Sequence, residues 1–399
     1  MPDLTILDLS NATIVAYMGT KGTGGNDNIS YPANGVPVNA FFNQSAFTGK
    51  TSLVSIMLPK TVTSVGENAF RLCGGLCGAV PLPPLVTSIG NNAYQSCTQL
   101  NGILTIPSSV TFIGEGAFAQ CTGLNSITIP FGITSIEYAT FYHCNRLIMI
   151  NIPSSVTAIK NSAFYECGEL ISLDIPSSVT SIGNNAFVYC GLASVTLPPS
   201  ITTIEDYTFT ECHALQSITI PEGVKSIGGA VFLKCYSLTN VSLPSSLTSI
   251  GNQTFSDCRN ISTIYAYPTT PIVLTDYSTF YSVDKSTCIL YVPKGSLTAY
   301  QKADQWKDFL NIREMTVTDV NQQIRNSIDF YPNPVKDRFI VNGLTESGIL
   351  TLTNLNGSVV LTKQITADEY TSISNLPKGI YIAKIETKSF TTEHKIIKR

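Results

Sequence analysis

Charge is scarce in this sequence. Only 13% of its 399 residues are Asp, Glu, Lys or Arg, about half the usual fraction of roughly 25%, and the formal net charge is only -3. Proteins that bind nucleic acid carry clustered Lys and Arg on a basic domain, so this composition argues against a nucleic-acid partner. No run approaches the roughly 18 consecutive apolar residues that a membrane span needs, so no transmembrane segment is expected.

A repeat of about 23 residues dominates what the sequence does contain. Nine cysteines recur at intervals of 22 to 24 residues, each three residues after an aromatic residue, and each repeat also contains a proline. This period is typical of a solenoid, whose stacked coils bury one another's apolar side chains. The cysteines of this column are Cys73, Cys97, Cys121, Cys144, Cys167, Cys190, Cys212, Cys235 and Cys258.

One coil illustrates the predicted unit. Apolar residues alternate from Leu124 to Ile129 and predict a short strand, which Pro130 ends because proline lacks a backbone donor. A second extended piece is predicted at Ile133 to Ile136. Stacked coils would align both pieces into parallel ladders. We interpret the cysteines as buried packing thiols. Disulfides are disfavoured because parallel Cβ vectors fit the S–S dihedral poorly. Zinc ligands are disfavoured because they need other spacings.

This repeat resembles the BspA-like leucine-rich repeats of bacterial and protozoan surface proteins. Residues 170–187, which read LISLDIPSSVTSIGNNAF, match the repeat unit almost letter for letter, and the resemblance covers residues 44–265. It implies a right-handed, β-rich leucine-rich-repeat solenoid with parallel strand ladders. Family members are associated with adhesion to host or bacterial surfaces.

Atypical segments flank the repeats. Residues 1–43 contain a divergent strand and a polar insertion but no secretory signal, so we expect an upstream segment that the sequence does not show. Residues 266–316 are predicted to cap the solenoid, with a short helix that starts at Ser296 and contains Trp306. We interpret this tryptophan as a residue that fills the cap. Residues 317–328 form a predicted linker. Cys77 and Cys288 lie outside the column and have no assigned role.

The last segment, residues 329–399, has a different pattern. Alternating strands and turns predict a small antiparallel β-sandwich. The segment resembles the C-terminal sorting domain of type IX secretion substrates of Bacteroidota, which implies export by the secretion machinery and an extracellular or outer-membrane surface location. The residues that carry this resemblance are Tyr331, Pro332, Asn333, Pro334, Lys378, Gly379 and Tyr381, followed by the basic end of the chain.

Candidates for catalysis are few. The sequence has three histidines, and the repeat places His143 and His213 at least two coils apart while His394 belongs to the last segment. Catalysis needs titratable groups that converge on one point, so we expect neither an enzyme nor a cofactor. A β-helix enzyme acting on polysaccharides is the alternative. Such an enzyme would need a cluster of charged residues in the outward row, but Asp174 is the only charged residue there. The row comprises Thr105, Thr128, Asn151, Asp174, Thr196, Thr219 and Ser242.

Two faces could bind a partner. The outward hydroxyl row is neutral and poor in the Trp, Tyr and Arg that dominate binding hot spots. A tyrosine-rich edge after the aromatic column is the better candidate, although the tyrosines could equally shield the coil edge. We predict a non-catalytic, adhesin-like protein that binds host or bacterial surface proteins or glycans; the alternative is a structural spacer or scaffold. The candidate edge comprises Tyr138, Tyr142, Tyr165, Tyr189, Tyr207 and Tyr236.

Overall fold

The fold comprises two compact units, residues 1–291 with 298–312, and residues 292–297 with 313–399. Each unit has a hydrophobic core. A computed structural model of the chain describes residues 4–19, 29–78, 82–316, 328–331, 335–342, 344, 346–366, 369–388 and 390–398.

The first strand of each coil forms what we call the first ladder. Its strands pair in parallel, and equivalent residues lie opposite each other, as Ile127 does with Ile150. From Ser55–Met57 onward the inward residue of each strand is buried, and its neighbours face outward, whereas Leu7 in the first strand is half-buried. This ladder contains Ile6–Asp8, Ser55–Met57, Gly102–Thr105, Leu124–Thr128, Met149–Asn151, Ser194–Thr196, Ser217–Thr219, Asn240–Leu243, Thr263–Ala266 and Ile289–Val292.

A second ladder of two-residue strands follows the proline of each coil. These strands also pair in parallel and in register, for example Ile136 with Ile159. The leucine-rich-repeat solenoid with parallel ladders is therefore confirmed. The second ladder contains Gly35–Val36, Ser64–Val65, Ser88–Ile89, Phe112–Ile113, Ser135–Ile136, Ala158–Ile159, Ser181–Ile182, Thr203–Ile204, Ser226–Ile227 and Ser249–Ile250.

A continuous stack of aromatic rings occupies the core between the ladders. Consecutive rings are nearly parallel, with centroids 5.1 to 6.0 Å apart. Because every coil contributes one ring at the same position, each coil is stabilised by the coils beside it. We call this set the ring column: Phe41, Phe70, Tyr94, Phe118, Phe141, Phe164, Phe187, Phe209, Phe232, Phe255 and Phe280.

The cysteine column runs beside the ring column. From Cys97 to Cys258, each thiol donates a hydrogen bond to the carbonyl oxygen of the preceding coil's ring residue, with Sγ–O distances of 3.0 to 3.3 Å. All eleven cysteines are free, and all except Cys77 are buried. The interpretation of the column as buried thiols is therefore confirmed. Cys288 is also buried, beside the first ladder strand that it precedes.

The turn around each ring contains two residues with left-handed backbone angles. His143, Glu166 and Tyr189 occupy the second of these positions, with φ of 55°, 57° and 56°. Residues other than Gly and Asn rarely adopt this conformation. The next coil holds it in place, because the amide of His143 donates to the carbonyl of Tyr165 at 2.7 Å and that of Glu166 donates to Val188 at 2.8 Å.

Short elements mark the ends of the solenoid. Tyr17–Gly19 pairs antiparallel with Ile29–Tyr31, and Phe42–Asn43 pairs antiparallel with Thr48–Gly49. After the last ladder strand come an α-helix, Leu297–Tyr300, a 3₁₀ helix, Trp306–Asp308, and a strand, Asn311–Glu314. The single helix predicted from Ser296 through Trp306 is wrong, because Gln305 has a φ of 65° that interrupts helical geometry.

Two antiparallel sheets form the C-terminal unit's fold, as predicted. One contains Asp329–Tyr331, Arg338–Asn342 and Thr371–Ser372. The other sheet has the strand order Val359–Ile365, Gly348–Asn354, Gly379–Thr387 and Thr391–Lys398. The core of this unit includes the fully buried side chains of Leu350, Leu352, Ala383 and Ile385.

Candidate partner-binding edge

The turn that follows the ring column places an aromatic or cationic group at the surface in each of six consecutive coils. Tyr142 and Tyr165 directly follow their ring residues, whereas Tyr236 and Arg259 follow the cysteines of their coils. Six coils at a rung spacing of roughly 4.8 Å span about 24 Å. We call these residues the edge strip: Tyr142, His143, Tyr165, Glu166, Tyr189, Glu211, His213, Lys234, Tyr236, Asp257 and Arg259.

Ring contacts connect the edge strip from coil to coil. Tyr142 stacks on Tyr165 with centroids 5.0 Å apart. Tyr189 contacts Tyr165 at 6.5 Å and His213 at 6.0 Å, both edge to face. His213 stacks on Tyr236 at 4.9 Å. The side chains are therefore held in a defined arrangement before any partner binds.

The guanidinium of Arg259 lies 5.8 Å from the centre of the Tyr236 ring and extends the row. In the next coil Tyr281 is 63% exposed, and its carbonyl accepts a hydrogen bond from the amide of Asp257 at 2.8 Å. The aromatic surface therefore reaches one coil beyond Arg259.

Ion pairs accompany the rings. His143 Nδ1 lies 3.0 Å from Glu166 Oε2, and Arg259 donates to Asp257 Oδ1 at 3.0 Å. Glu211 bridges two neighbours, with Lys234 Nζ at 2.9 Å and His213 Nε2 at 3.3 Å. Lys234 and Arg259 thus pair with the carboxylates of Glu211 and Asp257 along the edge strip.

These contacts shift several pKa values. Burial alone would raise the pKa of Glu211, but hydrogen bonds from Lys234 and Tyr189 outweigh it, so the pKa lies below the ordinary value. The hydrogen bond with Glu211 raises the pKa of the Tyr189 phenol. A hydrogen bond from Arg259 is the main cause of the lowered pKa of Asp257. Glu211 and Asp257 are therefore ionised, and the Tyr189 phenol is protonated, at neutral pH.

Not every tyrosine predicted for the edge lies in the edge strip. The structure brings Tyr142, Tyr165, Tyr189 and Tyr236 together. Tyr138 and Tyr207 are exposed, but they lie three and two residues before their ring residues. Within the described part of the chain, neither has a ring contact with the strip.

Besides Asp257, sequence analysis missed five members of the edge strip's charged and aromatic network as binding candidates. They change position within the turn, so no single column of the repeat contains them all. A search for titratable or aromatic residues anywhere between the ring residue and the residue after the cysteine would have found them. These residues are His143, Glu211, His213, Lys234 and Arg259.

The outward hydroxyl row lies where the pattern predicted. Thr105, Thr128, Asn151, Asp174 and Thr219 are exposed, and Thr196 and Ser242 are half-buried. Apart from Asp174, which lies outside the strands, the row is on the first ladder, and its register continues into Tyr265 and Tyr291.

The residues of the sorting motif lie in the C-terminal unit. Tyr331 ends a strand and pairs with Ile340, while Pro332, Asn333 and Pro334 fall outside the described residues. Lys378 and Gly379 are exposed where the longest strand begins. Tyr381 is buried, and its hydroxyl donates to the carbonyl of Pro377 at 2.6 Å.

Among the described residues, no group of three or more His, Cys, Asp or Glu side chains is arranged to hold a metal ion. No helix in the same part of the chain is both long enough and apolar enough to cross a bilayer.

The solenoid matches the model of the BspA type leucine-rich repeat region over residues 40–170, 87–216 and 157–287. Together these matches cover more than half of the chain, which therefore belongs to this family of leucine-rich-repeat proteins. Residues 329–399 match the secretion system C-terminal sorting domain. That domain implies export to the cell surface or the extracellular space, and neither family model describes an enzyme.

Several solved structures are similar to this chain. A leucine-rich cell surface protein from Faecalibacterium prausnitzii is 24% identical over 80% of this chain and 90% of its own, with a TM-score of 0.42. A Bacteroides ovatus leucine-rich repeat protein is 20% identical over 73% and 92%, with a TM-score of 0.38. The T. pallidum leucine-rich repeat protein is 30% identical over 48% and 80%, also with a TM-score of 0.38. No curated protein sequence matches the chain.

Proposed function

We propose that this protein is a secreted or surface-attached, non-catalytic binding protein of the adhesin type. Its solenoid contacts protein or glycan partners through the edge strip, and residues 329–399 engage the secretion machinery. The observation that carries the proposal is the continuous row of aromatic rings and ion pairs, in which Tyr189 and Tyr236 remain 40% and 36% exposed.

The composition of the edge strip fits recognition. Tyrosine and arginine are enriched among residues that dominate binding energy, and the strip supplies both. Ordering a long side chain on binding costs about 0.5–1.5 kcal/mol. Ring stacking and the Glu211 hydrogen bonds order these side chains in the free protein, so less of that cost remains.

The location supports the same function. A sorting domain at residues 329–399 directs the solenoid to a place where it meets other cells and their glycans. The outward hydroxyl row offers no comparable set of anchors.

Replacing Tyr142, Tyr165 and Tyr189 together with serine tests the proposal. We expect attachment of the purified full chain to host and bacterial cells to fall at least tenfold. The matched control replaces Tyr138, Tyr207 and Tyr277 with serine, which removes three exposed tyrosines outside the edge strip. Thermal unfolding of both variants checks that the solenoid stays folded.

One observation favours a structural spacer as the second candidate. The ring and cysteine columns repeat the same contacts in every coil, which suits a stiff support for another domain. Equal attachment by the wild type and both tyrosine variants would eliminate the edge strip as the binding site and favour the spacer.

A further inference from the structure

The coil that contains Phe41 carries an insertion at the same turn as the edge strip. In ordinary coils the cysteine follows the ring residue by three positions, as Cys73 follows Phe70. In this coil a two-stranded hairpin intervenes, with Phe42–Asn43 paired to Thr48–Gly49. Insertions in repeat proteins map to loops on one face, which is often the binding face.

Contacts with the following coil hold the hairpin in place. The guanidinium of Arg71 lies 5.1 Å from the Phe42 ring centre and 4.7 Å from that of Phe47. These two rings meet edge to face at 5.6 Å. A Cβ atom on Gly49 would lie 2.3 Å from the backbone of Leu72, so only glycine allows the hairpin to approach this closely.

A cavity of about 540 Å³ lies between the hairpin and the preceding turn. Its size falls within the roughly 300–1,000 Å³ typical of small-molecule sites. Among the described residues, three amide and two hydroxyl side chains line the cavity, Lys50 supplies its only cation, and no carboxylate lines it. The lining residues are Asn39, Ala40, Phe41, Phe42, Asn43, Gln44, Ser45, Thr48, Gly49 and Lys50.

One wall residue has an unsatisfied polar atom. Asn39 is only 5% exposed. Its Nδ2 donates to Gln44 Oε1 at 3.2 Å, whereas its Oδ1 has no hydrogen-bond partner among the residues that the structure describes. Buried polar atoms are nearly always hydrogen-bonded, and an unpaired one is costly. That oxygen is itself buried, so a donor on a ligand in the cavity would satisfy it only after the Asn39 side chain turned toward the ligand.

An aromatic ring also lines the cavity. Phe41 stacks on Phe70 at 5.1 Å and begins the ring column. Within the described part of the chain no second ring stacks on Phe41, and this residue also lines the cavity.

We propose that the cavity binds one ring of a neutral saccharide, from either a host glycan or a bacterial polysaccharide. A sugar ring presents a C–H face that packs on an aromatic ring, and hydroxyls that donate to an amide oxygen and accept from amide and hydroxyl donors. Asn39 and Gln44 supply the amides, Ser45 and Thr48 the hydroxyls, and Phe41 the ring. The cation Lys50 in the wall disfavours a cationic ligand. This site is independent of the edge strip.

Saturation-transfer NMR on the full chain tests the site. The probes are methyl glycosides of neutral hexoses and N-acetylhexosamines, with lactose and cellobiose. We expect transfer to at least one of these saccharides, and at least a tenfold weaker affinity in Asn39→Gly, which removes the amide but tolerates the φ of 56° at this position. Ser45→Trp, which places a large side chain in the cavity, should abolish binding.

Asn92→Gly is the matched control, because Asn92 has the same position in a later coil, with a φ of 53°, and does not line the cavity. It should bind as the wild type does. The proposal is overturned if no saccharide binds the wild type, if Asn39→Gly binds unchanged, or if Ser45→Trp leaves saccharide binding intact.

Discussion

The thiol of Cys167 donates a hydrogen bond to the carbonyl oxygen of Phe141, one coil earlier, across 3.3 Å. The cysteine column therefore does more than fill space. A thiol is small enough to fit beside the ring column and adds a second hydrogen bond to a carbonyl that already accepts from the amide of Cys144 at 3.1 Å. Alanine would fill less volume and donate nothing, and a larger residue would overpack the coil.

Cys167→Arg should strongly destabilise the protein. The site is fully buried, so the substitution introduces an unpaired charge into the core, and leaving one buried charge without a partner costs about 3–5 kcal/mol. Urea unfolding followed by circular dichroism measures the loss. Cys77→Arg is the control, because Cys77 is exposed. Equal stability of the two variants would show that the column is not interior.

Thiol reactivity should separate Cys77 from the other ten cysteines. Burial raises the pKa of Cys144, Cys212 and Cys258 to about 12, and only the thiolate reacts readily. We expect a thiol reagent at neutral pH to label one cysteine quickly in the native protein and all eleven in denaturant. Mass spectrometry of the labelled peptides identifies the site. Fast labelling of several column cysteines would contradict the buried-thiol ladder.

Most of the solenoid could be predicted because its coils obey one rule. A residue at a given column meets its equivalent in the next coil, so the spacing of Cys144 and Cys167 already specifies which side chains are buried together. The rule becomes harder to recognise at the last coil. Phe280 continues the ring column beyond Phe255, but Val283 stands where the pattern requires cysteine.

The edge strip could be predicted only in part. Tyr142 and Tyr165 share a column, and their stacking follows from the period. His213 and Tyr236 lie in a different column from Tyr189, and side-chain length and rotamer bring them into contact. The unpaired Oδ1 of Asn39 and the cavity beside it depend on how a hairpin folds back, which periodicity does not describe.

Trp306→Ala should destabilise the end of the solenoid. Trp306 is 1% exposed, packs edge to face on Phe280 at 5.2 Å, and donates from Nε1 to the carbonyl of Ile272 at 2.8 Å. Truncating a buried Trp costs about 3–5 kcal/mol. Hydrogen exchange should accelerate first in the strand Thr263–Ala266, because each coil is stabilised mainly by its neighbours.

The control for this change is Tyr277→Ala at a residue that is 81% exposed, where we expect a change within about 0.5 kcal/mol. Since Trp306 is the only tryptophan, unfolding must be followed by circular dichroism rather than by its fluorescence. An unchanged exchange rate in Thr263–Ala266 would argue against the capping role.

Glu211→Gln should weaken the protein near neutral pH and reduce its acid sensitivity. The folded-state pKa of Glu211 lies below its ordinary value of 4.5, because hydrogen bonds from Lys234 and Tyr189 outweigh the opposing effect of burial. A carboxylate with a depressed pKa contributes stability at pH values above the unfolded pKa, and this contribution disappears as the pH falls through the folded pKa. Partly exposed ion pairs contribute about 0.2–1 kcal/mol, so the expected effect is small.

Thermal unfolding at low salt from about pH 7 to about pH 3 measures this effect of Glu211→Gln, with the exposed Glu115→Gln as control. The wild type should lose its advantage over Glu211→Gln below about pH 4 and keep a constant difference from Glu115→Gln. A difference between wild type and Glu211→Gln that stays constant across this range would show that ionisation of Glu211 does not stabilise the strip.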